Sequence, residues 1–263
     1  LQNATIVDNS ANAYTITNNG SVATSVNYPF SYSIFNDQSP QGNNWTPNNI
    51  SGASGSTLDY MVDVPTLTSA NVANYCVLNP LSNQGNGTIS NANLGFVSSA
   101  AAWKSAAGTM YMSSGKWYYE CTVTAFSSSM MVGICNTNVT NFNDYAGDSA
   151  YSWSVQGNAS GTAKWNNNSN TTIAAGEATS SGDVFMVAFD VDAAKVWFGK
   201  NGTWYSSGDP AAGTNAAYTN LSGSIGPMIS SVNTSCTLAM NCGQQPFKYT
   251  PPSGYLPLNT YNM

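Results

Sequence analysis

A regular series of short strand-like runs constrains the fold of this chain more than any other feature. From Thr88 onward, apolar or alternating runs rich in aromatic and β-branched residues recur, each bounded by Gly, Asn or Ser. The runs are GTISNANLGFVSS, GTMYMSSGKWYYECTVTAF, MMVGICNT, SAYSWSVQG, TAKWNN, GDVFMVAFDVDAAKVWFGKNGTW, GSIGPMISS and CTLAMNCG. Such spacing is typical of an antiparallel sandwich. No segment of ten or more residues keeps a capped 3.6-residue period, so we predict an all-β protein.

The chain divides into three parts by composition. Residues 1–34 contain two short β runs separated by Asn-Asn-Gly, which predicts a β-hairpin-like N-terminal segment. Residues 35–87 are dense in Gly, Asn and Pro, and we interpret them as a connecting segment that packs on the sandwich. Residues 88–263 form the predicted antiparallel β-sandwich, with the preceding parts as a short β/loop N-terminal extension.

The charge of the chain argues against one class of partner. Only 7% of the residues are charged, and the six Lys are outnumbered by twelve acids, for a net charge of −6. Because phosphate binding needs clustered cations and these Lys stand singly, we expect no nucleic-acid partner. A surface wetted by neutral Asn, Ser, Thr and Gln suits packing against copies of the chain or against neutral sugars. This composition favours a protein of a large assembly or of the cell exterior.

The residues required for most catalytic sites are missing. Without His there is no Ser-His-Asp or Cys-His arrangement, and without Arg there is no bidentate anion clamp. Paired carboxylates are the remaining hydrolytic option, but the sequence places no two of them at a cleft. We therefore predict no enzyme, no catalytic residue and no cofactor. The carboxylates considered are Glu120, Asp144, Asp148, Glu177, Asp183, Asp190 and Asp192.

Metal binding and membrane insertion are not expected either. The five Cys form no CxxC pair, so we interpret Cys121 and Cys135, which lie in strand-like runs, as buried free thiols of a chain folded in a reducing cytosol. Asn141–Asp148 is rich in the oxygen ligands that Ca²⁺ takes but lacks the EF-hand pattern, so no metal site is predicted. No apolar run approaches the length of a membrane span, and no basic-then-apolar leader opens the sequence.

Four ordered motifs resemble those of the SPRY (B30.2-like) domain. Gly115–Val123 is similar to the strand that opens that domain, and Met131–Cys135 is similar to its next strand motif. Gly182–Asp190 resembles its "GD" strand, and Lys195–Trp204 resembles its "NG" hairpin, with Asn201-Gly202 as the tight turn. The resemblance implies a SPRY/concanavalin-like jelly-roll sandwich.

The flanks of these motifs resemble structural proteins of tailed bacteriophages. Met240–Thr260 is similar to a closing segment common in phage structural proteins that carry SPRY domains, with Cys242 in place of the usual Phe. Upstream, GNNWTPNNIS, DVPTLTSANVANYCVLNPL and NANLGF look like the segment that precedes this domain in tail or appendage proteins. The resemblance spans roughly residues 40–260. It implies a virion protein that folds in the host cytoplasm, contacts other virion subunits and forms a homo-oligomer, with a trimer as one option.

Aromatic residues divide into predicted core and predicted site. We place Trp117, Tyr119, Phe185, Phe189 and Trp197 in the core because they sit on strand patterns. Four more lie in or beside the long stretch between the second and third motifs, where SPRY-like domains present binding loops. Flat rings in an Asn-rich loop suit stacking on a sugar, although they would equally serve to cover the sandwich edge. These candidate ligand-binding residues are Tyr145, Tyr151, Trp153 and Trp165.

Three functions remain open from the sequence. The first is a tail-fibre or appendage module that binds a host surface glycan or protein through its SPRY-like loops. The second is a capsid decoration or head-fibre protein with purely structural contacts. The third, a secreted lectin-like bacterial adhesin, is opposed by the free cysteines and the missing leader. On the first reading, Trp153→Ala or Trp165→Ala leaves folding intact and abolishes adsorption to host cells.

Overall fold

Two antiparallel sheets stack face to face in the computed structural model, which describes residues 73–263. The described residues contain one helical segment, the 3₁₀ turn Tyr205–Ser207. The strands in chain order are β1 (Gly87–Ser90), β2 (Gly95–Ser98), β3 (Lys104–Ala107), β4 (Lys116–Ala125), β5 (Ser129–Asn136), β6 (Ser152–Asn158), β7 (Gly161–Asn166), β8 (Ser169–Ala175), β9 (Val184–Asp190), β10 (Lys195–Lys200), β11 (Thr203–Trp204), β12 (Ile225–Ser231), β13 (Thr237–Asn241) and β14 (Leu256–Pro257).

The strand order explains why widely separated segments become neighbours. The first sheet has the order β1-β2-β13-β4-β9-β10-β11, with β14 paired in parallel to β4. The second sheet has the order β3-β12-β5-β6-β7-β8 and is antiparallel throughout. The predicted all-β antiparallel sandwich is confirmed. The predicted hairpin-like segment at 1–34 and residues 35–72 of the connecting segment lie outside the described residues.

The main core lies between the two sheets and is built by alternation along the strands. Val132 and Ile134 of β5 meet Tyr119 and Cys121 of β4 across the interior. All five aromatic residues predicted for the core are buried. Trp197 differs from the other four because it packs on the outer face of the first sheet. That arrangement explains why β9, covered on both faces, is buried along its whole length.

The predicted Asn-Gly turn is also confirmed. Asn201 and Gly202 have φ angles of 50° and 85°, as a two-residue hairpin of this type requires. The Asn201 side chain accepts from the Val184 N–H at 2.9 Å and donates to Asp183 Oδ1 at 2.8 Å. Lys200, whose side chain is 6% exposed, lies 3.5 Å from the Asp183 carboxylate. Burial raises the pKa of Asp183, but these hydrogen bonds and the Lys200 charge more than offset it, so the pKa lies below its usual value.

A C-terminal strap, residues 244–258, closes the outer face of the first sheet. Phe247 packs edge-on against Tyr118, with ring centroids 4.9 Å apart, and Tyr255 packs edge-on against Trp197 at 6.3 Å. The buried Glu120 anchors the strap. Its carboxylate accepts from the backbone N–H groups of Lys248 and Tyr249 at 2.9 and 2.8 Å, and from the Tyr118 hydroxyl at 2.8 Å.

Burial raises the pKa of two kinds of acidic group in the interior. The pKa of Glu120 is raised by desolvation, which its three hydrogen bonds only partly offset. All five Cys are free and buried, which confirms that Cys121 and Cys135 are buried free thiols. Burial raises the pKa of Cys135 to about 12 despite a hydrogen bond with Tyr111, so the thiol stays protonated and unreactive.

Besides the two-residue β14, two strands were missed by the sequence patterns. β3 reads Lys-Ser-Ala-Ala and carries little apolar surface. β8 reads Ser-Asn-Thr-Thr-Ile-Ala-Ala, and its first four residues are exposed. Both are edge strands of the second sheet, where a hydrophobic pattern is not needed because backbone pairing with one neighbour holds the strand.

Candidate functional site

The outer face of the second sheet is covered over only part of its width. Residues 137–151, between β5 and β6, cross this face and place Phe142 and Ala146 over Met131, Cys135 and Met228. The Ala146 N–H donates to Ser230 Oγ at 2.8 Å, and Ser154 Oγ donates to the Ala146 carbonyl. The covering loop is therefore tied to the sheet by polar bonds and by a small apolar cluster.

Three aromatic side chains line the margin of this loop, and we call them the aromatic platform: Trp103, Tyr145 and Trp165. The ring centroids of Trp103 and Tyr145 lie 5.7 Å apart, and those of Tyr145 and Trp165 lie 5.2 Å apart. All three side chains are half-buried. Edge-on and tilted contacts of this kind stabilise each ring orientation, so the platform is formed before any partner arrives.

Polar bonds hold two of the rings from the side. Trp165 Nε1 donates to Gln156 Oε1 at 2.8 Å, and Gln156 Nε2 in turn donates to Ser129 Oγ at 2.9 Å. The Tyr145 hydroxyl donates to Asn168 Oδ1. The Trp165 indole N–H and the Tyr145 hydroxyl thus donate their hydrogen bonds within the protein. The flat apolar faces of the two rings are therefore the surface available for contact with a partner.

The strand register surrounds the platform with uncharged polar groups. Trp165 of β7 is directly opposite Asn170 of β8, and Ala163 is opposite both Gln156 and Thr172, so these side chains share one face. The β7–β8 turn is Asn167-Asn168, with φ angles of 53° and 57°. We call Gln156, Asn168, Asn170 and Thr172 the polar rim. Amides and hydroxyls such as these both donate and accept hydrogen bonds.

The charged groups that act on Tyr145 are two carboxylates of the covering loop. Burial, followed by the nearby Asp144 and Asp148 carboxylates, raises the pKa of Tyr145, so its phenol remains a neutral donor. The pKa of Asp148 is raised by burial and by repulsion from Asp144. Within residues 73–263, no three potential metal-ligating side chains lie together. The site as a whole suits binding of a neutral partner.

The structure separates the four predicted site residues. It brings Tyr145 and Trp165 into contact. Tyr151 is 44% exposed at the start of β6, and its backbone carbonyl accepts from the Asn136 N–H at 2.9 Å. Trp153 has no exposed surface, because alternation along β6 points its ring into the core, where Nε1 donates to Asn220. The expectation that Trp153→Ala leaves folding intact is therefore revised. Ligand binding by the other three stays a prediction.

Sequence reasoning missed Trp103 and most of the polar rim. Trp103 precedes a strand with no apolar pattern and reaches the platform only through the packing of β3 beside β12. The cross-strand partner of Trp165, in contrast, could have been predicted from the sequence. A two-residue turn at Asn167-Asn168 forces Trp165 to pair with Asn170, which could be read from the sequence once β8 is recognised as a strand.

A family model supports the class of domain that this geometry defines. Residues 116–245 match the model of the SPRY domain. The expected SPRY domain is thereby confirmed for this part of the chain. The match contains the four motifs from β4 to β11, together with Tyr145 and Trp165.

Solved structures agree with the fold. The SPRY domain of human HERC1 superimposes with a TM-score of 0.50 at 16% identity, over 64% of this chain and 99% of that chain. The PSpry domain of TRIM65 gives a TM-score of 0.50 at 12% identity, over 63% of this chain and 91% of that chain. At these identities the likeness concerns the fold. No curated protein matches this chain.

Proposed function

We propose that this chain is a virion protein of a tailed phage, a tail-fibre or appendage module that binds a host surface glycan or protein through the aromatic platform. SPRY domains are generally protein-interaction modules rather than enzymes, which agrees with a binding role. The single observation that carries the proposal is the half-open outer face of the second sheet, where preformed rings meet an uncharged polar rim.

The chemistry of the platform fits a neutral ligand. Apolar ring faces pack against the C–H face of a sugar or against an aliphatic side chain, while the rim amides bond hydroxyl or backbone groups. Because the rings are already oriented by Gln156 and Asn168, binding costs little side-chain entropy. Such an arrangement favours contact with an exposed, weakly charged surface outside the particle.

The phage setting of the proposal rests on the flanks of the domain. The closing segment that resembles phage structural proteins is the C-terminal strap, which the Glu120 carboxylate holds on the first sheet. Five buried, free Cys suit a chain folded in a reducing host cytoplasm and released in a particle. They weigh against the secreted adhesin. Among the residues described, no helix has the length and apolar character needed to cross a membrane.

Two measurements test this function. A cryo-EM reconstruction of the particle that carries the chain should place its density at the distal end of a tail or fibre, whereas a regular lattice on the capsid shell would support the decoration alternative instead. Phage carrying Trp165→Ala should fold, assemble and lose adsorption to the host. Phage carrying Tyr261→Ala, which removes an exposed ring outside the predicted site, is the matched control and should adsorb normally. Unchanged adsorption by Trp165→Ala particles would refute the assignment of the platform.

A further inference from the structure

Within the part of the chain that the structure describes, no second strand pairs with the outer edge of β8 in the second sheet. β8 ends this sheet and pairs only with β7 in the strand order. An edge strand presents unpaired N–H and C=O groups, and proteins usually protect it with Lys, Pro, short length or a covering segment. None of the seven residues of β8 is charged or Pro, and Ser169–Thr172 are exposed.

The other described edges are protected. The backbone at 77–79 covers β3, with the Asn79 N–H donating to the Ala107 carbonyl at 2.8 Å and the Thr109 N–H donating to the Val77 carbonyl at 2.8 Å. At the ends of the first sheet, β11 has two residues and β1 has four. With seven residues, none of them charged or Pro, β8 is the longest edge strand in the described part of the chain.

The flat part of β8 is short and clearly bounded. In the β7–β8 ladder, Ala163 pairs with Thr172 and Thr162 pairs with Ala174, so Ile173 is an extra, bulged residue. The Ile173 side chain packs on the core between the sheets. The bulge bends the strand after Thr172, which leaves Ser169–Thr172 as the segment able to accept a straight partner.

We propose that this segment pairs antiparallel with the same segment of a second copy of this chain. Across a two-fold axis the central residue faces its own copy, so a charged residue at that position would meet its like. Here every residue is uncharged, and Thr-Thr and Asn-Thr pairs are favourable on a strand surface. Isologous contacts of this kind close into dimers without further growth.

Side-chain direction restricts the register of this pairing. Opposed residues must point to the same face, and Asn170 and Thr172 share the outer face while Thr171 points the other way. This condition places the two-fold axis at a residue rather than between residues, and the proposed pairing centres on Thr171, which faces its own copy, with Asn170 opposite Thr172 of the second copy. The two Thr171 Cα atoms then lie about 4.5–5.5 Å apart.

The dimer has a consequence for the platform. An antiparallel edge pairing has its axis perpendicular to the sheet, so both copies present the outer face on the same side. Trp165 lies on β7, one strand inside the edge, and the two β7 strands are three strand spacings apart, about 14 Å. The two polar rims become continuous through Asn170 and Thr172. A repetitive partner is then bound twice, which raises its apparent affinity through avidity.

A charged substitution at Thr171, the position that faces its own copy, tests the proposed pairing. The full chain should sediment as a reversible dimer at micromolar concentration. Thr171→Lys or Thr171→Asp should each weaken dimerisation by about 10- to 100-fold, because two like charges about 5 Å apart at a protein surface repel. An equimolar mixture of the two variants should recover the dimer. Thr88→Lys, at an exposed Thr of the short edge strand β1, is the matched control and should leave the dimer unchanged.

Cross-linking provides a second readout that does not depend on affinity. Thr171→Cys should form an intermolecular disulfide under mild oxidation, since the expected Cα separation lies within the range of disulfides. Thr88→Cys should not, and the native Cys are buried and do not interfere. A monomeric wild-type chain, a trimer that Thr171→Cys fails to cross-link, or equal behaviour of the Lys variants at 171 and 88 would each overturn the proposal.

Discussion

The two outer faces of this sandwich differ in how completely other segments of the chain cover them. On the first sheet, the C-terminal strap buries Tyr118 and Trp197 beneath Phe247 and Tyr255. On the second sheet, residues 137–151 cover one half and leave Trp165 at an open margin. Both faces use aromatic rings in edge-on contact, yet one is interior and the other is surface. An aromatic residue on a strand therefore has no fixed role until the segment that crosses its sheet is known.

The two faces also differ in the polar groups that hold their aromatic residues and covering segments in place. The strap is held by a buried carboxylate that accepts three hydrogen bonds, whereas the platform is held by the neutral amides of Gln156 and Asn168. A buried charge is costly unless fully bonded, so it serves where the segment must stay closed. Neutral amides have a smaller desolvation free energy than a carboxylate. They therefore suit a face that loses bound water when a partner binds.

The largest effect is expected where the strap closes the first sheet. Trp197→Ala should lower the free energy of unfolding by about 3–5 kcal/mol, because it leaves a cavity and removes the bond from Nε1 to the Thr214 carbonyl. Chemical denaturation measures this value. A loss below about 1 kcal/mol, typical of an exposed site, would mean that the strap does not seal this face.

Removal of the strap anchor should have the next largest effect. Glu120→Ala leaves two backbone N–H groups and the Tyr118 hydroxyl without their acceptor, which should destabilise the chain by about 2–3 kcal/mol. Asp192→Ala, at an exposed carboxylate that accepts only from the Gly115 N–H, is the control and should change stability by about 0.5 kcal/mol or less. Equal effects of the two variants would contradict the anchoring role.

The pH dependence of stability also tests the buried environment of Glu120. Because burial raises the folded pKa of Glu120 above the ordinary value of 4.5, the folded state binds this proton more tightly than the unfolded state does. The stability linked to Glu120 is therefore fully present below pH 4.5 and is lost as pH rises through the folded pKa. Relative to Glu120→Gln, which does not titrate, the wild-type chain should gain stability as pH falls toward 4.5. A relative loss would mean that the folded pKa is depressed.

The smallest change in stability, with the largest change in binding, is expected on the open face. Trp165→Ala should cost about 1 kcal/mol or less because the ring is only half-buried, yet it should abolish host adsorption. Trp153→Ala, twelve residues earlier on the neighbouring strand and fully buried, should instead cost about 3–5 kcal/mol. Thermal melts of the two variants compare surface with core directly, and similar melts would remove the distinction between them.

Much of the first sheet could be predicted because its strands carry strong patterns. β4, β9 and β10 hold continuous or alternating apolar residues, and the Asn201-Gly202 turn sets the pairing of β10 with β11 through local backbone preference. The second sheet was harder. β3 and β8 have weak patterns, and Trp153 and Trp165, which look alike in sequence, differ because one points inward from β6 and the other outward from β7.

Residue type and spacing along single strands were enough to predict the all-β class, the SPRY motifs, the burial of Cys121 and Cys135 and the scarcity of charge. Tertiary packing, in contrast, sets which aromatic residues form the platform, which face the strap closes and which edge is unpaired among the described strands. Those outcomes depend on contacts between residues far apart in the chain, such as Trp103 with Tyr145 or Glu120 with Lys248. Local patterns carry no information on such contacts, because the loops that cross each face are positioned by packing rather than by their own conformational preferences.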